Sequence, residues 1–263
     1  MKVCYWSVAW GRYSYILQSL LKSFNDVGMT DDFHVFSDIK LKYAQNHDLI
    51  NSIELDRLWF FKFYYLKEIS KLDYDTFVFI DADHFFIRKP DLSIEEILNG
   101  DDWHSFLESP INSFKTLRQD WWGIKNQDLI KYFRELGVKS EEIRNTNGGF
   151  WICKKDFATK AFELAFESHN FLKSKNHIAP DEISIGYISH LVSKNISNRF
   201  AEKYFNYWAS DWTNNFNEII PQDRYWEWVS YMTLEKIMIN PAIVHAMRSK
   251  NALIQNGKNI LTN

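Results

Sequence analysis

Asp81-Ala82-Asp83 is the most concentrated chemistry in the chain, and it directly follows the apolar run Phe77-Val78-Phe79-Ile80. Carboxylates placed just after a buried strand emerge at its carboxyl edge, where open α/β sheets bind ligands. Two Asp at i and i+2 can approach one ion if the chain turns between them. Hard carboxylate oxygens suit Mg²⁺ or Mn²⁺, and such an ion also grips a diphosphate. A second group stands late in the chain. His245 follows Ala242-Ile243-Val244, so it too is expected at a carboxyl edge. An imidazole with two carboxylates makes a Mn²⁺ ligand set. Arg248 and Lys250 follow closely. They can neutralise phosphates, Arg through a bidentate fork and Lys as a point charge. Taken singly, the histidine is compatible with core packing and the two cations with a solvated surface.

Elements must bring these residues together. Lys2 to Val8, Phe33 to Phe36, Thr76 to Ile80, Phe85 to Ile87, Trp103 to Leu107, Phe150 to Cys153 and Ala242 to Val244 read as strands. Tyr13 to Phe24, Asp56 to Ile69, Lys155 to Leu172 and Asp181 to Leu191 carry helical spacing. In the first of these, Tyr13, Ile16, Leu17, Leu20, Leu21 and Phe24 share one face. Asn145-Thr146-Asn147-Gly148-Gly149 reads as a turn cluster. Strands alternating with helices predict an α/β fold, with a central, mostly parallel sheet flanked by helices.

Composition narrows the function classes. The 263 residues carry a formal net charge of −3, which provides no global basic field for nucleic acid. Cys4 and Cys153 are the only cysteines, which excludes a disulfide framework and a cysteine-rich zinc module. No apolar stretch approaches the roughly 18 residues of a membrane span. The opening Met1 to Trp10 is too short and too polar for a secretory signal. These features predict a soluble, cytoplasmic protein. Aromatic residues reach 17%, enough that some rings are expected to line a site. Trp121, Trp122, Trp208, Trp212, Trp226 and Trp228 are candidates for an acceptor groove, with core packing as the alternative for each.

The ordered set resembles the glycosyltransferases of the GT-A fold, especially the glycogenin-like family that uses UDP-sugars. Lys62 with Asp75 to Asp83 looks like the family's helix lysine, strand and metal-binding D-x-D. Asn147-Gly148-Gly149-Phe150 looks like its N-S-G-x-F block, which lines the sugar-donor and acceptor side. Pro180-Asp181-Glu182 looks like its G-D-Q block, beside the reacting sugar. Val244-His245 with Lys250 looks like its late H-x-x-G-x-x-K-P block, where His binds metal and Lys binds phosphate. Gly148 stands in place of the usual Ser and Glu182 in place of the usual Gln. The Gly after His is missing, and Lys250 lies one residue short and without its Pro.

The resemblance implies a single GT-A domain over 1–263, with 1–110 holding the nucleotide and 111–263 the acceptor and catalytic part. It implies hexose transfer from a nucleotide sugar to a glycan or glycoconjugate, with a retaining outcome favoured and Mn²⁺ or Mg²⁺ as cofactor. Asp81, Asp83 and His245 would hold the metal. Ala9 would present backbone to the base, and Tyr13 would either stack on it or pack as an ordinary helix residue. Lys62, Asp81, Asn147, Gly148, Gly149, Arg248 and Lys250 would bind the donor. Asp181 would stabilise the oxocarbenium-like carbon, or Asp181 or Glu182 would serve as base in an inverting enzyme; alternatively, Asp181 caps its helix. Two other readings are carried. The strand and D-x-D also resemble haloacid-dehalogenase-like phosphatases, with Asp81 as nucleophile. A transferase-like module that binds without turnover is the third.

Overall fold

The computed structural model describes residues 1–50, 60–112, 119–193, 205–206, 226–229, 236–239, 241–246 and 249–262. Most of the apolar runs join one six-stranded sheet, whose strands β1, β2 and β4 are buried on both faces. In chain order its strands are β1 (Val3–Ala9), β2 (Asp32–Ser37), β3 (Gln45–His47), β4 (Thr76–Ile80), β6 (Trp103–Pro110) and β9 (Arg144–Lys154), and their spatial order is β3-β2-β1-β4-β9-β6. β3, β2, β1 and β4 pair in parallel, while β9 is antiparallel to both its neighbours, β4 and β6. The protein is thus a mixed α/β structure with a mostly parallel central sheet. β9 comes from the second half of the chain, yet it sits inside the sheet begun by the first half.

Alternation along the strands assigns each side chain to a face. Trp6, Phe79, Trp151 and Trp103 point to one side and Tyr5, Val78, Ile80, Phe150 and Ile152 to the other, and all are buried. Trp151 stacks on Phe79 and on Trp103, each at 5.0 Å between ring centroids, and Trp6 meets Phe79 edge-on at 4.8 Å. This row crosses four strands and accounts for part of the aromatic excess as core. Helices α2 (Phe61–Ile69), α5 (Ala158–Ser174) and α6 (Asp181–Val192) contribute to the first face. On the second lie α1 (Arg12–Asp26), the short α3 (Ile94–Leu98) and α7 (Lys250–Thr262). Helix α4 (Asn126–Glu135) follows the two-strand pair β7 (Asp120–Trp121) and β8 (Ile124–Lys125). The remaining described strands are β5 (His84–Phe86), β10 (Phe205–Asn206), β11 (Trp226–Val229), β12 (Lys236–Ile239) and β13 (Ile243–His245).

Three readings change. Asn145 to Gly149 is not a turn but part of β9, where Thr146 pairs with Leu107 of β6 and the Gly149 carbonyl accepts from the Asp81 N–H. Local turn preference gives way to strand pairing. Tyr13 belongs to α1 but not to its buried face, which begins at Ser14 and Ile16. The helix expected from Lys155 opens with a 3-10 turn, Lys155–Phe157, before α5. The segment 56–59 of the second expected helix lies outside the described residues, as do Trp208 and Trp212.

Helix α7 was not read from the sequence, and one residue seats it. A Cβ on Gly257 would lie 1.7 Å from the carbonyl oxygen of Tyr15 in α1. The obstacle is backbone, so the helices must separate to admit any side chain. Gly257→Ala gains up to about 1 kcal/mol of helix propensity. The overpacking costs more, typically about 1–3 kcal/mol and greater where backbone must move. We therefore expect a net destabilisation of about 2 kcal/mol, read as a lower urea midpoint at unchanged m-value. A midpoint at or above that of the wild type would contradict this contact. Among the described residues, no helix is long and apolar enough to cross a membrane.

Candidate functional site

Strand register builds the site. Ile80, the last residue of β4, pairs with Phe150 of β9, and the Asp81 N–H donates to the Gly149 carbonyl at 2.8 Å. The D-x-D therefore emerges directly beside Asn147-Gly148-Gly149. Neither Gly148 nor Gly149 has a positive φ. They are needed for space. A Cβ on Gly148 would lie 2.7 Å from Asp181 Oδ2, and one on Gly149 would lie 2.6 Å from His84 Cε1. The glycine at 148 is thus explained by the close approach of Asp181.

A second small sheet closes on the D-x-D from the other side. β5 and β13 pair antiparallel, with His84 opposite His245. The Ala246 N–H donates to the Asp83 carbonyl at 2.8 Å. His245 Nε2 lies 3.1 Å from Asp83 Oδ1, and the two imidazoles stack at 4.2 Å, 11° from parallel. Lys250, the first residue of α7, puts Nζ 3.0 Å from Asp83 Oδ2 and 5.1 Å from the centre of the Tyr13 ring. Asp83 is thus enclosed by groups from three elements. Burial opposes its charge, but His245 and then Lys250 outweigh that and hold Asp83 well below the usual carboxylate range. Burial and the neighbouring His245 push His84 well below the usual histidine value, so its ring is neutral at pH 7.

Lys62 anchors the other half. Its ammonium reaches Asp181 Oδ2 at 2.6 Å, Asp81 Oδ2 at 3.1 Å and the Gly148 carbonyl at 3.1 Å. Its three protons match these three acceptors. Burial alone would depress Lys62, yet Asp181 and Asp81 raise it above its ordinary value. Burial lifts Asp81 above the usual carboxylate range, with Lys62 opposing. The Asp81 side chain keeps 32% of its surface exposed, so solvent moderates that shift.

Lys62, Asp81, Asp83 and Lys250 border one cleft of about 360 Å³. Ala9, Trp10, Tyr13, Lys62, Asp83 and Lys250 line it, with Val8, Phe61, Asp81 and Ala82 completing the wall. It opens at the carboxyl ends of the parallel strands β1 and β4. One wall is aromatic and the floor is charged.

Of the sequence-nominated residues, Ala9, Tyr13, Lys62, Asp81, Asp83 and Lys250 line this cleft, and His245 contacts Asp83 without lining it. Asp181 does not line the cleft. It is buried behind Lys62, and it does not cap α6, whose N-cap is Pro180 with no side-chain cap bond. Asn147 spends its side-chain oxygen on the Gly149 N–H at 2.7 Å. Glu182 accepts from Trp121 Nε1 at 3.3 Å and Trp122 Nε1 at 2.5 Å. Arg248 lies outside the described residues. Searched against protein-family models the chain matches none, and no curated protein matches it.

Sequence reasoning passed over His84, Trp10 and Phe61. His84 was signalled only by adjacency to the D-x-D. Its partner in register is 161 positions away, which spacing cannot reveal. Trp10 and Phe61 meet edge-on at 5.3 Å and wall the cleft, although they stand in different elements.

Proposed function

We propose that the protein is a divalent-metal-dependent glycosyltransferase. It moves a hexose from a nucleotide sugar, UDP-linked in first preference, to a glycan or glycoconjugate acceptor, on a GT-A type of fold. The observation that carries the reading is the convergence of Asp83, Lys250, Lys62 and Asp81 on one aromatic-walled cleft at the strand ends, with His245 3.1 Å from Asp83. The donor set fits a metal: a carboxylate and imidazole nitrogens stand buried within 4.8 Å of one another. Asp83 and His245 would hold the ion. When bound, it supplies Lewis-acid stabilisation of the charge that develops on the leaving diphosphate.

The chain's own groups do the rest. Lys250 provides a positive charge at the cleft wall for phosphate oxygens, and its ammonium lies 5.1 Å from the centre of the Tyr13 ring. Tyr13 and Trp10 line the cleft, where stacking of a base on either ring would be worth on the order of 1 kcal/mol beyond area burial. Leaving-group departure makes the anomeric carbon positive. The Lys62–Asp81–Asp181 group carries a net single negative charge when ionised, and so favours that transition state over the ground state. Lys62 also fixes both carboxylates, so little reorganisation is needed as charge develops.

The test is a thermal-stability panel with UDP-, GDP- and TDP-sugars, each with and without Mn²⁺. A ligand that binds only the native state raises stability by mass action. The expected result is a shift that requires both Mn²⁺ and one nucleotide class. A cooperative melt with no shift for any donor would turn the reading toward a phosphatase or a glycan-binding module.

A further inference from the structure

We infer that His84 is a metal ligand, and that the site takes a first-row transition-metal dication such as Mn²⁺ or Co²⁺ in preference to Mg²⁺. The inference deepens the transferase reading and rests on it for the purpose of the ion.

Among the described residues, the group whose ligand atoms all lie within 4.8 Å of one another is Asp83, His84 and His245, all buried. Asp81 is not in it. Its carboxylate is turned to Lys62, whose Nζ lies 3.1 Å from Oδ2. The arrangement is therefore two imidazoles and one carboxylate, not two carboxylates and one imidazole.

The backbone places His84 there deliberately. Strand pairing of β5 with β13 sets His84 opposite His245, and Asp83 Oδ1 lies 3.8 Å from His84 Nδ1 and 3.1 Å from His245 Nε2. The absence of a side chain at Gly149 leaves room for the His84 ring, whose Cε1 would otherwise be 2.6 Å from a Cβ. Nδ1 of His84 also lies 3.1 Å from the Asp81 carbonyl oxygen. Chemistry then sets the preference. Imidazole nitrogen suits first-row transition metals, whereas Mg²⁺ wants near-octahedral oxygen ligands and keeps its water. A set with two nitrogens and one carboxylate leaves further positions open for diphosphate oxygens.

Metal-free protein is titrated with MnCl₂, CoCl₂ and MgCl₂ in the absence of any donor. Free Mn²⁺ is read by EPR, Co²⁺ by its visible absorption, and Mg²⁺ by competition against Mn²⁺. We expect Mn²⁺ and Co²⁺ to bind at least about tenfold more tightly than Mg²⁺. His84→Phe keeps a ring in the stack and removes the nitrogen; it should weaken Mn²⁺ and Co²⁺ by about tenfold or more. Asp81→Asn should leave Mn²⁺ affinity within about threefold of the wild type. A measurement on the wild type needs no variant to fold: pulsed EPR of the Mn²⁺-loaded protein should show two coupled imidazoles. One coupled imidazole, or wild-type Mn²⁺ affinity in a cooperatively melting His84→Phe, overturns the inference even if nucleotide sugars bind. Two coupled imidazoles with no nucleotide-sugar shift uphold the ligand set and count against the transferase reading alone.

Discussion

Replacing Asp83 with alanine is expected to remove Mn²⁺-dependent binding of the nucleotide sugar. Outer partners of metal ligands are worth about 10–100-fold in metal affinity, so loss of a direct ligand should cost at least about 100-fold. The geometry supplies a second reason. Asp83 is the one carboxylate that meets His245 at 3.1 Å and Lys250 at 3.0 Å. Without it, an ion approaching the site faces Lys250 with no compensating charge. Asp83→Asn is the companion variant. It keeps the shape and part of the hydrogen bonding but drops the charge, and should lose metal-dependent binding almost as fully. Calorimetric titration of donor in the presence and absence of Mn²⁺ reads both. A variant that melts cooperatively and binds donor with unchanged affinity in Mn²⁺ would sink the metal assignment.

Asp181→Asn is expected to separate binding from turnover. Asp181 is 4% exposed and does not line the cleft, so the donor should bind within about threefold of the wild type. Its carboxylate lies 2.6 Å from Lys62 and contributes one of the two negative charges that surround that ammonium. Neutralising it removes the net negative charge of the group just where the anomeric carbon would become positive. Removal of one preorganised electrostatic group typically costs about 10²–10³ in turnover, and that is the fall expected here. Lys62 keeps Asp81 and the Gly148 carbonyl, so the fold should survive; a melt is the necessary control. The informative readout is the split: donor affinity retained, kcat lost. Normal turnover with the cooperative fold intact would exclude Asp181 from the reaction. Loss of donor affinity in step with kcat would mean instead that its part is to hold Lys62 for binding.

The site was partly legible before any coordinates. An apolar run ending in acids marks a strand end, so Asp81 and Asp83 could be placed at a sheet edge from Phe77 to Ile80 alone. The same logic placed His245. The helix starting at Asp181 was also readable, since Pro180 disfavours helix before it and Asp181 and Glu182 suit its first turn. What misled was the Asn and Gly cluster at 145–149. Turn propensity is a local statistic, while the two glycines are present because Asp181 and His84 crowd their Cα atoms. Helix α7 was missed for a related reason: its weak amphipathic signal includes a glycine that is justified only by the proximity of Tyr15. The aromatic excess was divisible only in three dimensions, into a row of core rings across four strands and the few rings that wall the cleft.

By itself, then, the sequence determined the layered α/β class, the strand ends from which acids and a histidine emerge, and the absence of a global basic field. All three follow from periodicity and composition, which are properties of short segments. Which residues share a site depended on strand register and helix docking. The pairing of Ile80 with Phe150 brings two motifs side by side, the pairing of His84 with His245 makes the imidazole stack, and Lys62 joins Asp81 to Asp181 across three elements. Those juxtapositions join residues up to 161 positions apart. Only long-range packing sets such distances, and it is packing that turned Asp81 toward Lys62 and left Asp83 with the histidines.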